Sequence, residues 1–153
     1  MPNWCFTSII FHGEKEEIEK LRSNIDEWTK ENLKPNGFGP GWLGNILCGA
    51  GLRDRINVSE NRIRCRGSLI DLGKIYDDER GNSAFHIQTE TAWAPMVKMW
   101  DEIFKVMGYK SINFSFISEE EGMCEFFVYD PYDDFIEEDL TKYEKVDKSE
   151  MRY

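Results

Sequence analysis

Histidine is nearly missing from this chain, and the shortage narrows its chemistry at once. His12 and His86 are the only two in 153 residues. Histidine is the side chain most often used for general acid–base work, so few such sites can be built. Cysteine is sparse and scattered: Cys5, Cys48, Cys65 and Cys124 form no CxxC pair. Metal clusters usually show close ligand spacing, so no metal and no cofactor is expected, and the four thiols read as buried, reduced side chains. No apolar run approaches the roughly 20 residues a membrane helix needs. The opening Met1-Pro2-Asn3-Trp4 has no basic stretch and no cleavage site. No signal peptide is therefore expected, and the expected compartment is the cytoplasm.

Other absences remove specific functions. No Gly-Lys-Ser or Gly-Lys-Thr follows Gly37-Phe38-Gly39-Pro40-Gly41, which excludes a phosphate-binding P-loop. No run alternates Asp or Asn ligands around a central Gly with a terminal Glu, which excludes a calcium loop. The Lys/Arg-Gly-Phe signature of RNA-recognition strands is missing as well.

What is present is a chain long enough to bury one core without staples. Its charge is unevenly placed. The net charge is −10. Between Ser111 and Thr141 there are ten acids and no Lys or Arg: Glu119, Glu120, Glu121, Glu125, Asp130, Asp133, Asp134, Glu137, Glu138 and Asp139. Taking these ten from 29 acids leaves 19, against 19 Lys and Arg. The rest of the chain is neutral. A field of this sign repels nucleic acid and anionic lipid and attracts basic surfaces.

Periodicity supplies the expected elements. Trp4 to Phe11 is apolar on both faces and reads as a central strand. Ile18, Leu21, Ile25 and Trp28 recur at helical spacing, predicting a helix over Glu14 to Leu33, ended by Pro35-Asn36-Gly37. An irregular insertion covers about 36–61, with a short helix within Trp42 to Leu52. Arg62 to Leu69 reads as a second strand, with Arg62, Arg64 and Arg66 on one face. Arg80-Gly81-Asn82 is the expected reversal. Ser83 to Thr89 is a third strand, with Phe85, Ile87 and Thr89 on one side and His86, Gln88 and Glu90 on the other. A second helix spans Pro95 to Met107, closed by Gly108. Trp93 reads as a core anchor at the junction before it. Ser111 to Ser118 and Cys124 to Tyr129 form a hairpin around Glu119-Glu120-Glu121-Gly122. Residues 1–130 then form one domain, and 131–153 an acidic tail. In the tail Phe135, Ile136 and Leu140 dock a short helix and Lys142 to Tyr153 is frayed. The order strand, helix, strand, strand, helix, strand predicts a ferredoxin-like βαββαβ sandwich, an α+β fold. It has an antiparallel sheet, both helices on one face and one extra C-terminal hairpin strand.

Short words of sequence point the same way. The start Met1-Pro2-Asn3-Trp4-Cys5 resembles the opening of the YubB ferredoxin-like domain family of phages, plasmids and bacterial mobile elements. The tract Phe85-His86-Ile87-Gln88-Thr89-Glu90-Thr91-Ala92-Trp93-Ala94-Pro95 and the turn Glu120-Glu121-Gly122 are similar to the family as well. Thr7 stands where the family commonly has Asn, Met96 where it has a second Pro, and residues 37–61 match no family motif. The resemblance implies a ferredoxin-like fold and a mobile-element setting. It implies no activity and assigns no catalytic residue.

Three functional expectations follow. The first is a non-catalytic, acidic protein-binding module that takes a partner with a basic surface. Its contact residues are Glu119, Glu120, Glu121, Asp133, Asp134, Glu137, Glu138 and Asp139. The mobile-element setting extends this to inhibition of a host or defence protein. The second is a nucleic-acid-binding accessory protein using Arg53, Arg55, Arg62, Arg64 and Arg66. The bland reading of those arginines is an edge strand guarded by charge against aggregation. The third is a small enzyme pairing His12 or His86 with Cys5, Cys65 or a carboxylate. With the arginines on one sheet edge and the acids on the other, head-to-tail self-association is also expected.

Overall fold

The computed structural model describes residues 1–30, 37–58, 60–151 and 153. Among these, the chain forms a mixed α+β fold of three helices and an open, mostly antiparallel sheet of seven strands. The strands are β1 (Trp4–Gly13), β2 (Gly67–Leu72), β3 (Tyr76–Asp77), β4 (Ser83–Ala92), β5 (Asn113–Glu120), β6 (Glu125–Tyr129) and β7 (Glu144–Lys145). The helices are α1 (Lys15–Trp28), α2 (Leu43–Gly49) and α3 (Lys98–Met107). The sheet order is β2-β4-β1-β5-β6-β7, with the short β3 also paired to β4. β1 is central as its two apolar faces predict, lying antiparallel between β4 and β5. No helix among the described residues is long and apolar enough to cross a membrane.

Alternation along the strands divides the sheet into two sides. Cys5, Thr7, Ile9 and Phe11 of β1 are buried on the helix side. Phe85 and Ile87 of β4 and Phe114 and Phe116 of β5 join them. Phe11 is the hub, with its ring centroid 5.0 Å from Trp100 and 5.1 Å from Phe85. Phe104 and Phe114 close the cluster, each 5.9 Å from Phe11. α1 supplies Ile18, Leu21 and Ile25, and α3 supplies Met99, Trp100, Ile103 and Phe104. α3 ends where Gly108 takes the left-handed conformation, φ 73°, which costs glycine nothing. Pro95 does not open this helix, which begins at Lys98.

α1 stops at Trp28, with the Thr29 hydroxyl donating to Ile25 O. The predicted continuation over 31–33 and the stop at Pro35-Asn36 lie outside the described residues. Glu17 of α1 accepts the backbone N–H of Lys110 and Ser111 and the Ser111 hydroxyl, which ties α1 to the start of β5. Within the insertion, α2 buries Leu43, Ile46 and Leu47 in the core. Gly49 reads from sequence as a weakness in that helix. Its place is set by packing: a Cβ there would lie 2.2 Å from the Trp28 ring.

Several expectations need correction. Arg62 to Arg66 is not a strand, since β2 begins at Gly67. The Asn57 side chain takes up the Cys65 backbone, donating to its carbonyl at 2.7 Å and accepting its N–H at 3.0 Å. Ile63 forms an isolated bridge to Ile56 instead of pairing with β4. Burial still alternates here, with Ile63 and Cys65 inward, so the period is right and the sheet pairing wrong. Trp93 is no core anchor: it is 49% exposed, with φ 72°. Its backbone N–H donates to Asn3 O. Cys124 is exposed and Cys48 partly so, leaving Cys5 and Cys65 as the buried thiols.

The acidic C-terminal segment is ordered against the sheet. Phe135 is buried, Ile136 is 68% exposed, and turns replace the expected short helix. Glu144–Lys145 pairs in parallel with β6, so the expected fraying does not extend through this part.

Candidate functional site

The sheet side away from the helices carries Trp4, Phe6, Ser8, Ile10 and His12 from β1. Residues 130–143 run across it. Asp130 starts the crossing by accepting the N–H groups of Asp134 and Phe135, at 2.7 and 2.8 Å. At the far end the Tyr143 hydroxyl donates to Glu119, and the Tyr143 ring meets Phe126 edge-on at 5.7 Å. Tyr76–Arg80, leading into the β3–β4 turn, lies alongside.

Between this crossing segment and the turn is a cleft of about 800 Å³. Seven carboxylates line it: Asp77, Asp78 and Glu79 from β3 and the turn, and Asp133, Asp134, Glu137 and Glu138 from the segment. Its one arginine, Arg80, is ion-paired to Asp133 at 3.3 Å. His12 forms the floor. Its Nδ1 lies 2.7 Å from Asp78 Oδ2, and its Nε2 lies 2.7 Å from Asp134 Oδ2. Both nitrogens carry hydrogen only in the imidazolium, so the geometry is that of a cation donating twice. Tyr132 stacks on the ring at 4.0 Å, and the Arg80 guanidinium lies 5.7 Å from the Tyr132 centroid.

Burial by itself would lower the His12 pKa, but the hydrogen bonds and charges of Asp134 and Asp78 outweigh it, and the value is raised. Burial of Asp78 acts to raise its pKa. The bond from His12 and the backbone N–H groups of Asn82 and Arg80 overcome that and hold it low. Asp78 Oδ1 accepts both amides at 2.8 Å, which also fixes the predicted Arg80-Gly81-Asn82 reversal.

The expected acidic residues divide into four groups. Asp133, Asp134, Glu137 and Glu138 enter the cleft. Asp134 is spent on His12, and its side chain is 13% exposed. Glu119 lies in a second recess of about 280 Å³ with Phe6, Ile70, Ile117, Glu138 and Tyr143. Glu120 is corrected outright as a contact residue: it is 1% exposed and accepts the N–H groups of Gly122 and Met123. Glu121 and Asp139 are exposed; Asp139 accepts the Thr141 hydroxyl.

The arginines do not form one stripe. Arg55 pairs with Glu102 at 3.0 Å, and Arg64 lies 4.4 Å above the Tyr153 ring. Arg53, Arg62 and Arg66 are exposed. Arg66 O accepts from Ala92 N at one end of β4, whereas Asp77 pairs with Ser83 at the other. The cleft and Arg66 are thus separated along the strands, by roughly 30 Å for a ten-residue strand, and not across the sheet.

No known protein family, curated protein or solved structure matches the chain.

Of the pairings expected for an enzyme, His12 with a carboxylate is present, whereas no histidine is bonded to a cysteine among the described residues. Burial pushes the Cys5 thiol up to about 11 and the Cys65 thiol up to about 12, so both stay protonated and weakly nucleophilic at neutral pH. His86 is held down by burial, partly offset by Asp71. Among the described residues no group of three or more His, Cys, Asp or Glu is arranged to hold a metal ion. Sequence reasoning missed Asp77, Asp78 and Glu79. Their signal was three acids in a row before a Gly-containing turn. It was hidden because the strand they lead from has only two residues.

Proposed function

We propose that this chain is a non-catalytic binding protein whose acidic cleft receives a cationic surface of a partner protein. The observation that carries this reading is the cleft: seven carboxylates face one arginine, and that arginine is already paired. A surface of this kind steers a basic partner and rejects phosphate backbones. The contact set is revised to Asp77, Glu79, Asp133, Glu137 and Glu138, because Glu120 and Asp134 serve the fold. Affinity capture from a nuclease-treated bacterial lysate over a salt series tests it. The variant Asp77→Asn/Glu79→Gln/Glu137→Gln/Glu138→Gln is expected to lose the captured protein, and equal recovery would sink the reading.

The ferredoxin-like core is part of the same proposal. β1, α1, β2, β4, α3 and β5 follow the βαββαβ order, and the sheet order β2-β4-β1-β5 suits it. α2, β3, β6 and β7 are then additions. With the Met1–Cys5 resemblance, this supports placement in the YubB ferredoxin-like domain family. It extends the function to a cytoplasmic mobile-element accessory that inhibits a host or defence protein.

A second reading rests on Arg53, Arg62 and Arg66, which are exposed and have no carboxylate partner among the described residues. They would contact nucleic acid, with affinity falling steeply as salt rises. The same arginines, of which Arg66 lies at the opposite end of β4 from the cleft, would join copies head to tail. Sedimentation of Arg53→Gln/Arg62→Gln/Arg66→Gln beside the parent checks this, since an assembly that survives the change rules it out.

A further inference from the structure

We propose that residues 130–143 form a strap whose grip on the sheet is set by the protonation of His12: the charged ring clamps the strap, and the neutral ring keeps Asp78 and releases Asp134. The geometry assigns the order of events. Asp78 is anchored independently, with its second oxygen bonded to the amides of Arg80 and Asn82. The Asp134 carboxylate has no partner but His12 among the described residues. A neutral imidazole has one N–H and one lone pair. The N–H stays with the anchored carboxylate through Nδ1. The Nε2 lone pair then faces an Asp134 oxygen 2.7 Å away, which is repulsive. The strap is the side that can move.

The groups facing His12 do not compete for this role. From the strap they are Asp134 and Tyr132, from the turn Asp78 and, 5.7 Å from the Tyr132 centroid, Arg80, and from β3 Tyr76. Burial above all, with nearby carboxylates, raises Tyr76 and Tyr132 above the ordinary phenol value, so both stay neutral while histidine titrates. The neighbours of His12 on β4 and β5 are Ala84 and Asn113, which do not titrate.

Release has a defined consequence. Ile10 and Ser115 oppose each other on the strap side of the sheet, and Val128 opposes Ile117 there. Ser115 and Val128 are nevertheless buried, as is Phe135 of the strap. The Ser115 hydroxyl has no hydrogen-bond partner, and a buried unpaired hydroxyl is unfavourable until water reaches it. Lifting the strap hydrates Ser115 and uncovers Ile10 and Val128. The strap is therefore a cover for this face, held closed at lower pH.

Amide hydrogen exchange of the full chain from about pH 5 to about pH 9 brackets the ordinary histidine value. Protection of 132–136, corrected for intrinsic exchange, is expected to fall about tenfold or more, as loss of one charge-assisted hydrogen bond implies. Asp134→Asn should flatten that response, because an amide can donate to neutral Nε2 or accept from the cation. Constant protection in the parent, or the same pH response in Asp134→Asn, would overturn the proposal. Nitrogen NMR of the parent gives an independent reading. Above its titration His12 should carry its proton on Nδ1, and a proton on Nε2 would contradict the release of Asp134.

Discussion

Replacing His12 by alanine removes two charge-assisted hydrogen bonds, each 2.7 Å long, to Asp78 and Asp134 side chains that are 6% and 13% exposed. It also removes the ring stacked on Tyr132. Hydrogen bonds to charged groups contribute about 1.5–3 kcal/mol each. Breaking a buried pair while leaving its partners charged costs about 3–5 kcal/mol. The two carboxylates left behind also repel each other. His12→Ala is therefore expected to destabilise the chain by about 3–5 kcal/mol. The pH dependence has a fixed sign. The His12 value is raised above 6.5, so its contribution is complete below 6.5 and is lost as pH rises through the folded value. The Asp78 value is lowered below 3.8, so its contribution is present above 3.8 and is lost as pH falls through the folded value. The difference between parent and variant should peak between about pH 4 and about pH 6.5 and shrink on either side. Urea unfolding followed by tryptophan fluorescence measures it. A difference under about 1 kcal/mol, the size of a neutral hydrogen bond, or one that grows toward alkaline pH, would refute this account of His12.

Other expectations can be checked with the same assay or with simple chemistry. Trp100→Ala empties the space against Phe11 and should cost about 3–5 kcal/mol in urea unfolding. Gly49→Ala puts a methyl into the Trp28 ring and should cost about 1–3 kcal/mol, with Trp28 emission shifted. Glu120→Ala leaves the Gly122 and Met123 amides without their acceptor, for about 1–3 kcal/mol. In the native protein a disulfide reagent should modify exposed Cys124 first, and Cys5 and Cys65 only on unfolding, as read by thiol titration.

The elements whose signal is local were legible from the sequence. β1, α1, β4, α3 and the β5–β6 hairpin each show their own period or turn, and each is found within a few residues of its expected place. The errors arose where partners are distant. Nothing near Arg64 says that Asn57 will take the Cys65 backbone and keep the arginines off the sheet. Nothing near Gly49 announces the Trp28 ring. Trp93 was misplaced because aromatic size predicts burial on average but not at a strand exit with positive φ. The candidate site was half visible. The acids of 133–138 stand out by composition, but the cleft needs Asp77–Glu79 from another part of the chain. His12 reaches across 66 residues to Asp78 and 122 to Asp134, separations that no local pattern encodes.

The central claim is that the carboxylates of the cleft bind a basic protein. It is tested most directly by titrating a partner captured from lysate against three proteins: the parent, Asp77→Asn/Glu79→Gln/Glu137→Gln/Glu138→Gln, and Arg53→Gln/Arg62→Gln/Arg66→Gln. Calorimetry should show parent-like affinity for the arginine variant and a loss of at least about tenfold, or about 1.4 kcal/mol, for the acidic variant. The reverse pattern, with binding kept by the acidic variant and lost by the arginine variant, would contradict the account and move the function to the arginine end of the sheet.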